Sequence, residues 1–506
     1  MLRRFPALVG DDSLRGRQTN SEPGASPRFL RNPQLLFFPS RHFNPWPVRY
    51  HTSRGGPLTE RRPFKTGRFL RTLATSLWLI LAVALALRLG FAWGQVHSIP
   101  ERILSTYSFL VEPGNIAYSL AVGKGFSSPF RVDTGPTAWM TPAYPLILAS
   151  VFRVFGTYTF ASYIAAISLN ILFSTLTCLP LFYCAKRVAA LRVAAGATWL
   201  WAIFPNAIII PTGWIWDTSL SALLAATILW ATLALAQSGR ARDWIGYGLL
   251  WGLALMTNPT LASLLPFLLG WLAWRTRREG RLLLLKPTLA AGVMVLCCAP
   301  WTIRNYAVFK SFVPLRSVMG LQWWMGNNEG YRDRFPGWLH PINNTTERAQ
   351  YVRMGEIAYM QEKKREAIQF ILHHPRQEAR LCYARFVSTW VGTDHPIRDF
   401  LRDRTFAFRI SLIANLLTTI GVILGAVFLF RRRSAYAFPI VVFPVVFPLV
   451  FYVTQALFRY RHPIDPVILL VTAVAIQELL RLAPLATGAS WTEDSAAKSE
   501  SELVNR

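Results

Sequence analysis

The chain has 506 residues, of which 52% are apolar and only 16% are charged, and its mean hydropathy is +0.29. Soluble domains carry roughly 25% charged residues, so this composition excludes a single soluble globular domain and is typical of a membrane protein. The formal net charge is +28, but almost all of the basic residues are Arg placed beside apolar spans. That placement indicates membrane topology and not nucleic-acid binding.

Several kinds of chemistry lack their usual sequence signatures. There is no Walker loop, no His-Glu-x-x-His, no paired-Cys motif and no Gly-x-Ser-x-Gly, which argues against ATP-driven transport, zinc proteolysis and serine hydrolysis. The eight histidines form no ligand set, so the residues predict no metal site. The five cysteines are too few for a disulfide scaffold, and four lie in apolar runs where a packing role is expected. They are Cys178, Cys184, Cys297, Cys298 and Cys382.

The chain begins with a basic segment, residues 1–69, which is rich in Arg, Pro and Ser and has no sustained apolar period. This composition predicts disorder. Asp11, Asp12 and Glu22 argue against a transit peptide, and no cleavable signal with a short apolar core is found at the start.

Ten apolar segments follow, most of them about 20 residues long and two nearer 16, which is long enough to cross a bilayer. They run at roughly 70–94, 159–185, 193–211, 216–237, 243–258, 259–275, 284–302, 404–430, 436–457 and 463–481. Cytoplasmic connectors carry an excess of Lys and Arg, which sets the orientation and places the N-terminus inside. The connectors are Lys186-Arg187 with Arg192, Arg240 with Arg242, the Arg275 to Arg281 cluster, and Arg431-Arg432-Arg433.

A further apolar stretch, Ala143 to Phe155, would put every later basic connector on the wrong face if it crossed the membrane. Its length of about 13 residues and the charge of Arg153 favour a helix lying along the outer surface instead. Two large outer regions result, about 95–158 and 303–403. Long loops inside a tight bundle are usually functional, so these regions are where a site is expected.

The second outer region has a helical pattern of its own. Thr346-Glu347 is a helix start, and Pro375 is the expected end. Four apolar residues between them fall on one face: Ile357, Met360, Ile368 and Ile371. A second helix is predicted over Gln377 to Val391. The predicted fold is therefore an all-α membrane protein with about ten transmembrane helices, a surface helix in the first outer loop and a small helical outer-face region.

Glu112, in Tyr107-Ser-Phe-Leu-Val-Glu-Pro-Gly-Asn115, is the first candidate site residue. A charge near the membrane boundary is costly, so such residues are functional candidates by default. Glu112 could act as a general base, helped if a partly buried setting raises its pKa. It could equally cap a helix that starts near Pro113, and the local sequence leaves both interpretations open.

Arginines at the outer boundary form the second candidate feature. Arg459 and Arg461 lie in an outer connector, against the positive-inside preference, and Arg304 ends the seventh span at the same depth. Arg88 lies in the outer third of the first span. A single arginine is better explained by snorkelling to lipid headgroups, but as a set these four favour a phosphate site.

Aromatic and acidic residues complete the candidates. Trp139 and Tyr144 precede or open the surface helix, where they could stack on a sugar, although such residues are common at any membrane interface. Asp217 opens the fourth span and could bind a hydroxyl group, but an ordinary N-cap is the simpler interpretation.

The order of several motifs resembles one family, the polytopic glycosyltransferases of the C superfamily that use polyprenyl-phosphate sugars. The likeness is closest to protein O-mannosyltransferases and lipid A aminoarabinose transferases, in the manner of family 39, and covers about residues 70–480. The motifs are Glu112-Pro-Gly-Asn-Ile-Ala-Tyr-Ser-Leu-Ala-Val-Gly-Lys-Gly125, Pro142-Ala-Tyr-Pro145 through Phe155-Gly156, Pro300-Trp-Thr-Ile-Arg-Asn305, Gly326-Asn-Asn328 and Tyr460-Arg-His-Pro463. Asn305, Asn327 and His462 are therefore expected to join the substrate-binding residues.

The resemblance implies an inverting transfer from a polyprenyl-phosphate sugar to a hydroxyl of a protein, lipid or glycan. Glu112 would take the hydroxyl proton, and Arg304, Arg459 and Arg461 would stabilise the leaving phosphate. The family pattern at the base is Asp-Glu, and Val111 replaces the Asp here, so Asp133 and Asp217 remain alternative bases. No cofactor is certain; a divalent metal is compatible with this chemistry, but no ligand motif supports one.

The expected location is a bacterial inner membrane, multi-pass, with a cytoplasmic N-terminus and the site on the outer face. The expected divisions are a transferase module at 70–302, a periplasmic helical region at 303–403, C-terminal spans at 404–481 and a cytosolic tail at 482–506. Two alternatives remain open: a lipid-linked saccharide flippase or transporter, which would show internal repeats and broken helices, and a catalytically degenerate relative.

Overall fold

The computed structural model describes residues 74–276, 285–330, 336–392 and 406–486. Within these ranges the protein is helical, as predicted, and contains no strand beyond an isolated bridge between Ser127 and Pro136. The basic segment predicted at 1–69 lies outside the described residues. So does the predicted tail after Ala486, the residue at which the last helix ends.

Twenty α-helices are named here in chain order within the described ranges. The first ten are α1 (Leu77–Ser98), α2 (Glu101–Ser105), α3 (Glu112–Ala121), α4 (Ala143–Phe155), α5 (Phe160–Leu176), α6 (Cys178–Val188), α7 (Leu191–Ile203), α8 (Pro205–Gly213), α9 (Thr218–Leu235) and α10 (Ala241–Thr257). The others are α11 (Leu265–Arg275), α12 (Leu285–Phe309), α13 (Met319–Gly326), α14 (Thr345–Met354), α15 (Glu356–His373), α16 (Pro375–Val391), α17 (Phe406–Arg431), α18 (Ala437–Val446), α19 (Leu449–Val453) and α20 (Asp465–Ala486).

Six helices among the described residues are long and apolar enough to cross a membrane, or seven if the bent pair α7–α8 is one span. The predicted count of ten is not confirmed, because three predicted segments form shorter or interrupted helices. The 243–258 segment becomes α10, and the 3-10 helix Pro259–Leu264 separates it from the 11-residue α11. The 436–457 segment is divided into α18 and α19 near Pro448, a residue that lacks the N–H needed to continue a helix.

The helix predicted at Ala143 to Phe155 is confirmed with the same bounds, as the 13-residue α4. Such a helix is about 20 Å long, too short to cross the roughly 30 Å apolar core of a bilayer. It packs on α3 and α5, burying Leu148 and Phe152 while Leu146 and Val154 stay exposed. One apolar face therefore remains open to the surroundings, as a surface helix requires.

The described part of the second outer region contains four α-helices, α13 to α16, where the sequence predicted two. The predicted helix from Thr346 to Pro375 is divided into α14 and α15 at Gly355, whose φ of 78° lies in the left-handed region that favours glycine. Pro375 ends the pattern as expected, but it also begins α16. The predicted apolar face was partly wrong, because Ile368 is exposed whereas Lys363 is buried and paired with Glu347 at 3.1 Å.

A break between α7 and α8 explains the arginine in the first span. The two helices meet at 44°, and Pro205 has no N–H to give to the carbonyl of Trp201 four residues earlier. Arg88 supplies donors instead, to the carbonyl oxygens of Trp201 at 3.3 Å and Ala202 at 3.2 Å. The same guanidinium donates to Ser174 at 2.9 Å. Arg88 is fully buried, so it joins three spans and is held away from solvent.

Replacing Arg88 with Met is therefore expected to destabilise the bundle. The Ala202 carbonyl would lose the Arg88 donor, and the Trp201 carbonyl would keep only the long hydrogen bond from Phe204 N–H at 3.4 Å. A buried polar group without a partner costs about 1–3 kcal/mol. The midpoint of thermal unfolding in detergent should fall clearly below that of the wild type. Arg192→Met, at an exposed position of α7, is the matched control and should unfold like the wild type. A stable Arg88→Met variant with weakened donor binding would instead support the phosphate role.

Candidate active site

Glu112 is placed by a close contact between two backbone segments. It is the first residue of α3, and the N-cap position belongs to Val111, so Glu112 is not the cap that the sequence allowed. Pro113 and Gly114 form the rest of the first turn. A Cβ on Gly114 would clash with the backbone carbonyl of Phe109, so only glycine allows α3 to start here. The acid also interacts favourably with the positive end of the helix dipole.

The Glu112 carboxylate is bound by His340 from the second outer region. His340 Nε2 lies 3.0 Å from Glu112 Oε1, and both side chains are buried. The backbone N–H of Ile342 donates to His340 Nδ1 at 3.2 Å. Because Nδ1 is therefore the acceptor, the imidazole proton lies on Nε2, which donates to Glu112.

Opposing effects act on the pKa of Glu112. Burial raises it, but the electrostatic interaction and hydrogen bond with His340, a backbone hydrogen bond and the charge of Arg459 together outweigh burial and lower it below its ordinary value. This differs from the raised pKa that a partly buried acid was expected to have. Glu112 is consequently ionised at neutral pH and able to accept a proton.

Aromatic and acidic side chains hold His340 in place. Its ring packs edge-on against Trp139, with the ring centres 5.5 Å apart. Trp139 is itself buried, so it faces His340 and not an open sugar site. Glu356 fixes the backbone just before Trp139, because its carboxylate accepts a hydrogen bond from Ala138 N at 2.7 Å. The same carboxylate accepts one from Tyr351 Oη at 2.6 Å. Glu356 occurs in no motif, so no sequence pattern pointed to it.

A second acid and a partly exposed arginine lie beside Glu112. Arg459 stacks on Trp216, with its guanidinium carbon 4.0 Å from the ring centre. The guanidinium makes no hydrogen bond or ion pair with any other described residue. Its charge contributes to the lowered pKa of Glu112 and partly opposes the rise that burial causes in the pKa of Asp217. The guanidinium therefore acts on both acids.

Asp217 is the N-cap residue of α9, but its side chain makes no capping bond to the backbone. Burial raises its pKa to about 6, although the charges of Arg459 and Arg316 oppose that rise. Ser221 Oγ lies 3.5 Å from its carboxylate. Asp217 is thus more than a helix cap, because its carboxyl group faces two arginines in a buried setting.

Arg316 is a site residue that sequence reasoning missed. It contacts Thr260 Oγ1 at 3.4 Å, and its charge acts on Asp217 and Tyr460. The only signal was its position shortly after the seventh span, where an outer arginine breaks the positive-inside preference just as Arg459 does. Together with Arg459, it gives the site two cations whose donors are largely unused by the described residues.

Two of the predicted phosphate ligands are engaged elsewhere. Arg461 is buried and donates to Asp465 at 2.7 Å, Asn415 at 2.7 Å and the Trp390 carbonyl at 2.9 Å. Arg304 donates to the carbonyl oxygens of Thr137 at 2.7 Å and Phe126 at 2.8 Å. These contacts favour structural roles, because protein acceptors already take up the donor groups of both side chains.

The remaining predicted binding residues are also held by protein contacts. Asn305 donates to the Val313 carbonyl at 2.9 Å, and Tyr144 donates to Asn170 at 3.0 Å. Asn327 accepts from Arg385 at 2.7 Å. His462 is fully buried, stacks on Trp201 and contacts Asp465 at 3.3 Å. The structure does not bring the polar groups of these four residues to Glu112.

Asp133, an alternative base, lies at the surface. Its carboxylate pairs with Lys124 at 3.0 Å and accepts from Ser128 Oγ, and the hydrogen bond from Lys124 lowers its pKa.

Within the described ranges, no group of three His, Cys, Asp or Glu side chains is placed to hold a metal ion. Glu112 and His340 alone do not form a complete metal site.

Comparisons with known proteins agree with this architecture. Residues 139–303, about a third of the chain, match the family described as dolichyl-phosphate-mannose-protein mannosyltransferase. The resemblance to polytopic glycosyltransferases of the C superfamily is confirmed. No curated protein sequence matches the chain.

The chain also resembles solved structures, to different degrees. The Archaeoglobus fulgidus oligosaccharyltransferase in complex with Zn and sulfate has a TM-score of 0.50 at 13% identity, covering 81% of this chain and 49% of that one. The chain thus spans about half the length of that relative. AglB of the same organism, in complex with an inhibitory peptide and a dolichol-phosphate, has a TM-score of 0.48 at 13% identity, covering 88% of this chain and 55% of that one. ArnT from Cupriavidus metallidurans, bound to undecaprenyl phosphate, has a TM-score of 0.37 at 14% identity, covering 84% of this chain and 80% of that one.

The raised pKa of Asp217 predicts a pH-dependent stability. The folded state binds more protons than the unfolded chain between about pH 4 and pH 6, so stability falls as pH rises through that window. Across this window the wild type should lose on the order of 3 kcal/mol of its free energy of unfolding relative to Asp217→Asn. The measurement is the difference between the thermal unfolding midpoints of the wild type and the variant at each pH. Asp133→Asn serves as the control, because the pKa of Asp133 is lowered. A difference that does not vary between pH 4 and pH 7 would contradict the buried setting of Asp217.

Proposed function

We propose that the protein is a membrane glycosyltransferase that moves a sugar from a polyprenyl-phosphate donor to a hydroxyl acceptor with inversion. One observation carries this proposal: the ionised, buried carboxylate of Glu112 is held by His340 close to Arg459, a cation with unused donors. The matched family, whose name includes a dolichyl-phosphate mannose donor, supports the donor class. The sugar is a hexose or pentose, and the acceptor is a protein, lipid or glycan hydroxyl.

The reaction is a single displacement at the anomeric carbon. The acceptor oxygen forms a new bond to that carbon while the bond from the carbon to the phosphate oxygen breaks. Glu112 takes the proton of the acceptor hydroxyl, and polyprenyl phosphate leaves with the bonding electron pair. His340 keeps the carboxylate oriented through Nε2, so that the second oxygen of Glu112 is available to the proton.

The leaving phosphate is bound by Arg459 and Arg316. Arginine binds phosphate oxygens through paired N–H groups, and a positive charge placed where negative charge develops stabilises the transition state. Both side chains are only partly buried, which lets a ligand reach them. Trp216 supports the Arg459 guanidinium by stacking and leaves its N–H groups free.

The site belongs on the outer face of a bacterial cytoplasmic membrane in this proposal. Glu112, Asp217, Arg316 and Arg459 all lie in the connectors that the placement of basic residues assigns to the outside. α17 begins after the second outer region and ends at the basic connector at Arg431, which is therefore on the opposite, cytoplasmic face. This orientation supports a cytoplasmic N-terminus.

The base is tested by replacing Glu112 with Gln. Release of polyprenyl phosphate from labelled polyprenyl-phosphate hexoses and pentoses is measured with purified protein in lipid, using crude envelope as the source of acceptor. A lost general base should lower the rate by about 10²–10⁴-fold. Asp133→Asn, at the surface, should react like the wild type. Full activity in Glu112→Gln together with loss in Asp217→Asn would assign the base to Asp217.

His340 is tested through the pH profile. His340 lowers the pKa of Glu112, so His340→Ala should move the acidic limb of the kcat/KM profile to higher pH and reduce the rate at pH 6. His340→Gln retains an N–H donor and should recover part of both effects. A profile of unchanged position in His340→Ala would contradict the proposed pair.

The phosphate site is tested with Arg459→Gln and Arg316→Gln. Each should lower kcat/KM for sugar release by about 10²–10³-fold, the usual effect of removing one donor that stabilises developing charge. Arg131→Gln, at an exposed position of the first outer loop, is the charge-matched control. If both site variants retain wild-type kinetics, the phosphate is bound elsewhere.

A further inference from the structure

An apolar groove lies at the end of the bundle opposite to Glu112. It is formed by α11, the end of α17 and the start of α18, and has a volume of about 650 Å³. Its walls are mainly aromatic: Phe267, Trp271, Trp274, Phe430 and Phe438. α11 follows Thr260, which contacts Arg316 at the candidate site, and runs away from it to Arg275. The groove is therefore separate from the candidate active site.

Among the described residues that line this groove, Arg433 is the one cation. Arg433 lines it together with Ser434 and is exposed, and its guanidinium forms no hydrogen bond or ion pair with any other described residue. Its neighbour Arg432 is paired with Glu478. Arg433 has a φ of 52°, in the left-handed region that is strained for a residue with a side chain. A guanidinium whose donors have no acceptor among the described residues, placed beside an apolar wall, is complementary to a molecule with an anionic head and a hydrocarbon chain.

We propose that this groove binds a phospholipid with an anionic headgroup. An acyl chain packs against Trp271 and Trp274, and the headgroup phosphate receives hydrogen bonds from Arg433 and Ser434. Basic pockets between transmembrane helices on the cytoplasmic side recognise anionic lipids in this way. The volume is within the roughly 300–1,000 Å³ range of ligand pockets. The placement of basic connectors assigns this end to the cytoplasmic leaflet.

Two variants separate the acyl-chain contact from the headgroup contact. A Cβ added to Gly270, which also lines the groove, would meet nothing within 4 Å, so Gly270→Leu fills the space without a backbone clash. Gly246→Leu makes the same change on α10, outside the groove and equally free of contacts. Arg433→Gln removes the headgroup contact, and Arg431→Gln removes one charge from the same basic run without touching the groove.

The measurement uses the full chain in detergent with equimolar phosphatidylglycerol and phosphatidylcholine. Native mass spectrometry counts the lipids retained by each variant, and size-exclusion chromatography confirms that each is folded. The wild type should retain phosphatidylglycerol selectively. Gly270→Leu should lose this binding, and Arg433→Gln should reduce the selectivity about fivefold, which corresponds to about 1 kcal/mol per basic residue at an anionic surface. Both control variants should behave like the wild type.

Three results would overturn the proposal. The first is equal retention of the two phospholipids by the wild type. The second is wild-type selectivity in Arg433→Gln, which decides the question even if Gly270→Leu fails to fold. The third is displacement of phosphatidylglycerol by undecaprenyl phosphate in both the wild type and Gly246→Leu, since the groove would then bind a polyprenyl lipid. None of these results depends on sugar transfer, so the groove and the proposed function can fail separately.

Discussion

The structure depends on supplying hydrogen-bond donors to backbone carbonyl groups inside an apolar bundle. Water cannot reach these groups, and each one left without a donor costs several kcal/mol in a hydrocarbon environment. Every interruption of a helix creates such groups, as at Pro205 between α7 and α8. Arginines solve the problem at several places, since one guanidinium carries five donors and remains charged. Arg88 does so at this break, and Arg385 donates to the Gly326 and Tyr452 carbonyl groups.

This constraint divides the arginines into two groups. Arg88, Arg304 and Arg461 each donate to at least one backbone carbonyl, and they join elements that are distant in sequence. Arg459 is held by stacking on Trp216, which leaves its donors free. An arginine available to a ligand is therefore one whose guanidinium does not donate to backbone carbonyl groups within the fold. Arg316, with one weak contact to Thr260, also meets this criterion.

The sequence predicted the helical architecture because hydropathy and basic connectors report directly on burial and topology. The bounds of α4 followed from the length of its apolar stretch, and the cost of a charge near the membrane made Glu112 a candidate site residue. The sequence could not separate Arg88 from Arg459, because both were simply arginines near the outer boundary. His340 and Glu356 could not be found either, since each lies more than 200 residues from its partner in the first outer loop. Such pairings arise from tertiary contacts that local patterns do not record.

The electrostatic influence of Arg459 on two acids links substrate binding to proton transfer in the proposed function. Its charge lowers the pKa of Glu112 and of Asp217. A donor phosphate bound to Arg459 places negative charge beside that guanidinium and offsets its effect on both carboxyl groups. Glu112 then becomes a stronger base when the donor is present, because only His340 and the backbone still oppose the effect of burial. Arg459 thus couples phosphate binding to the basicity of Glu112 in the proposed function, although its influence on that pKa is smaller than those of burial, His340 and the backbone hydrogen bond.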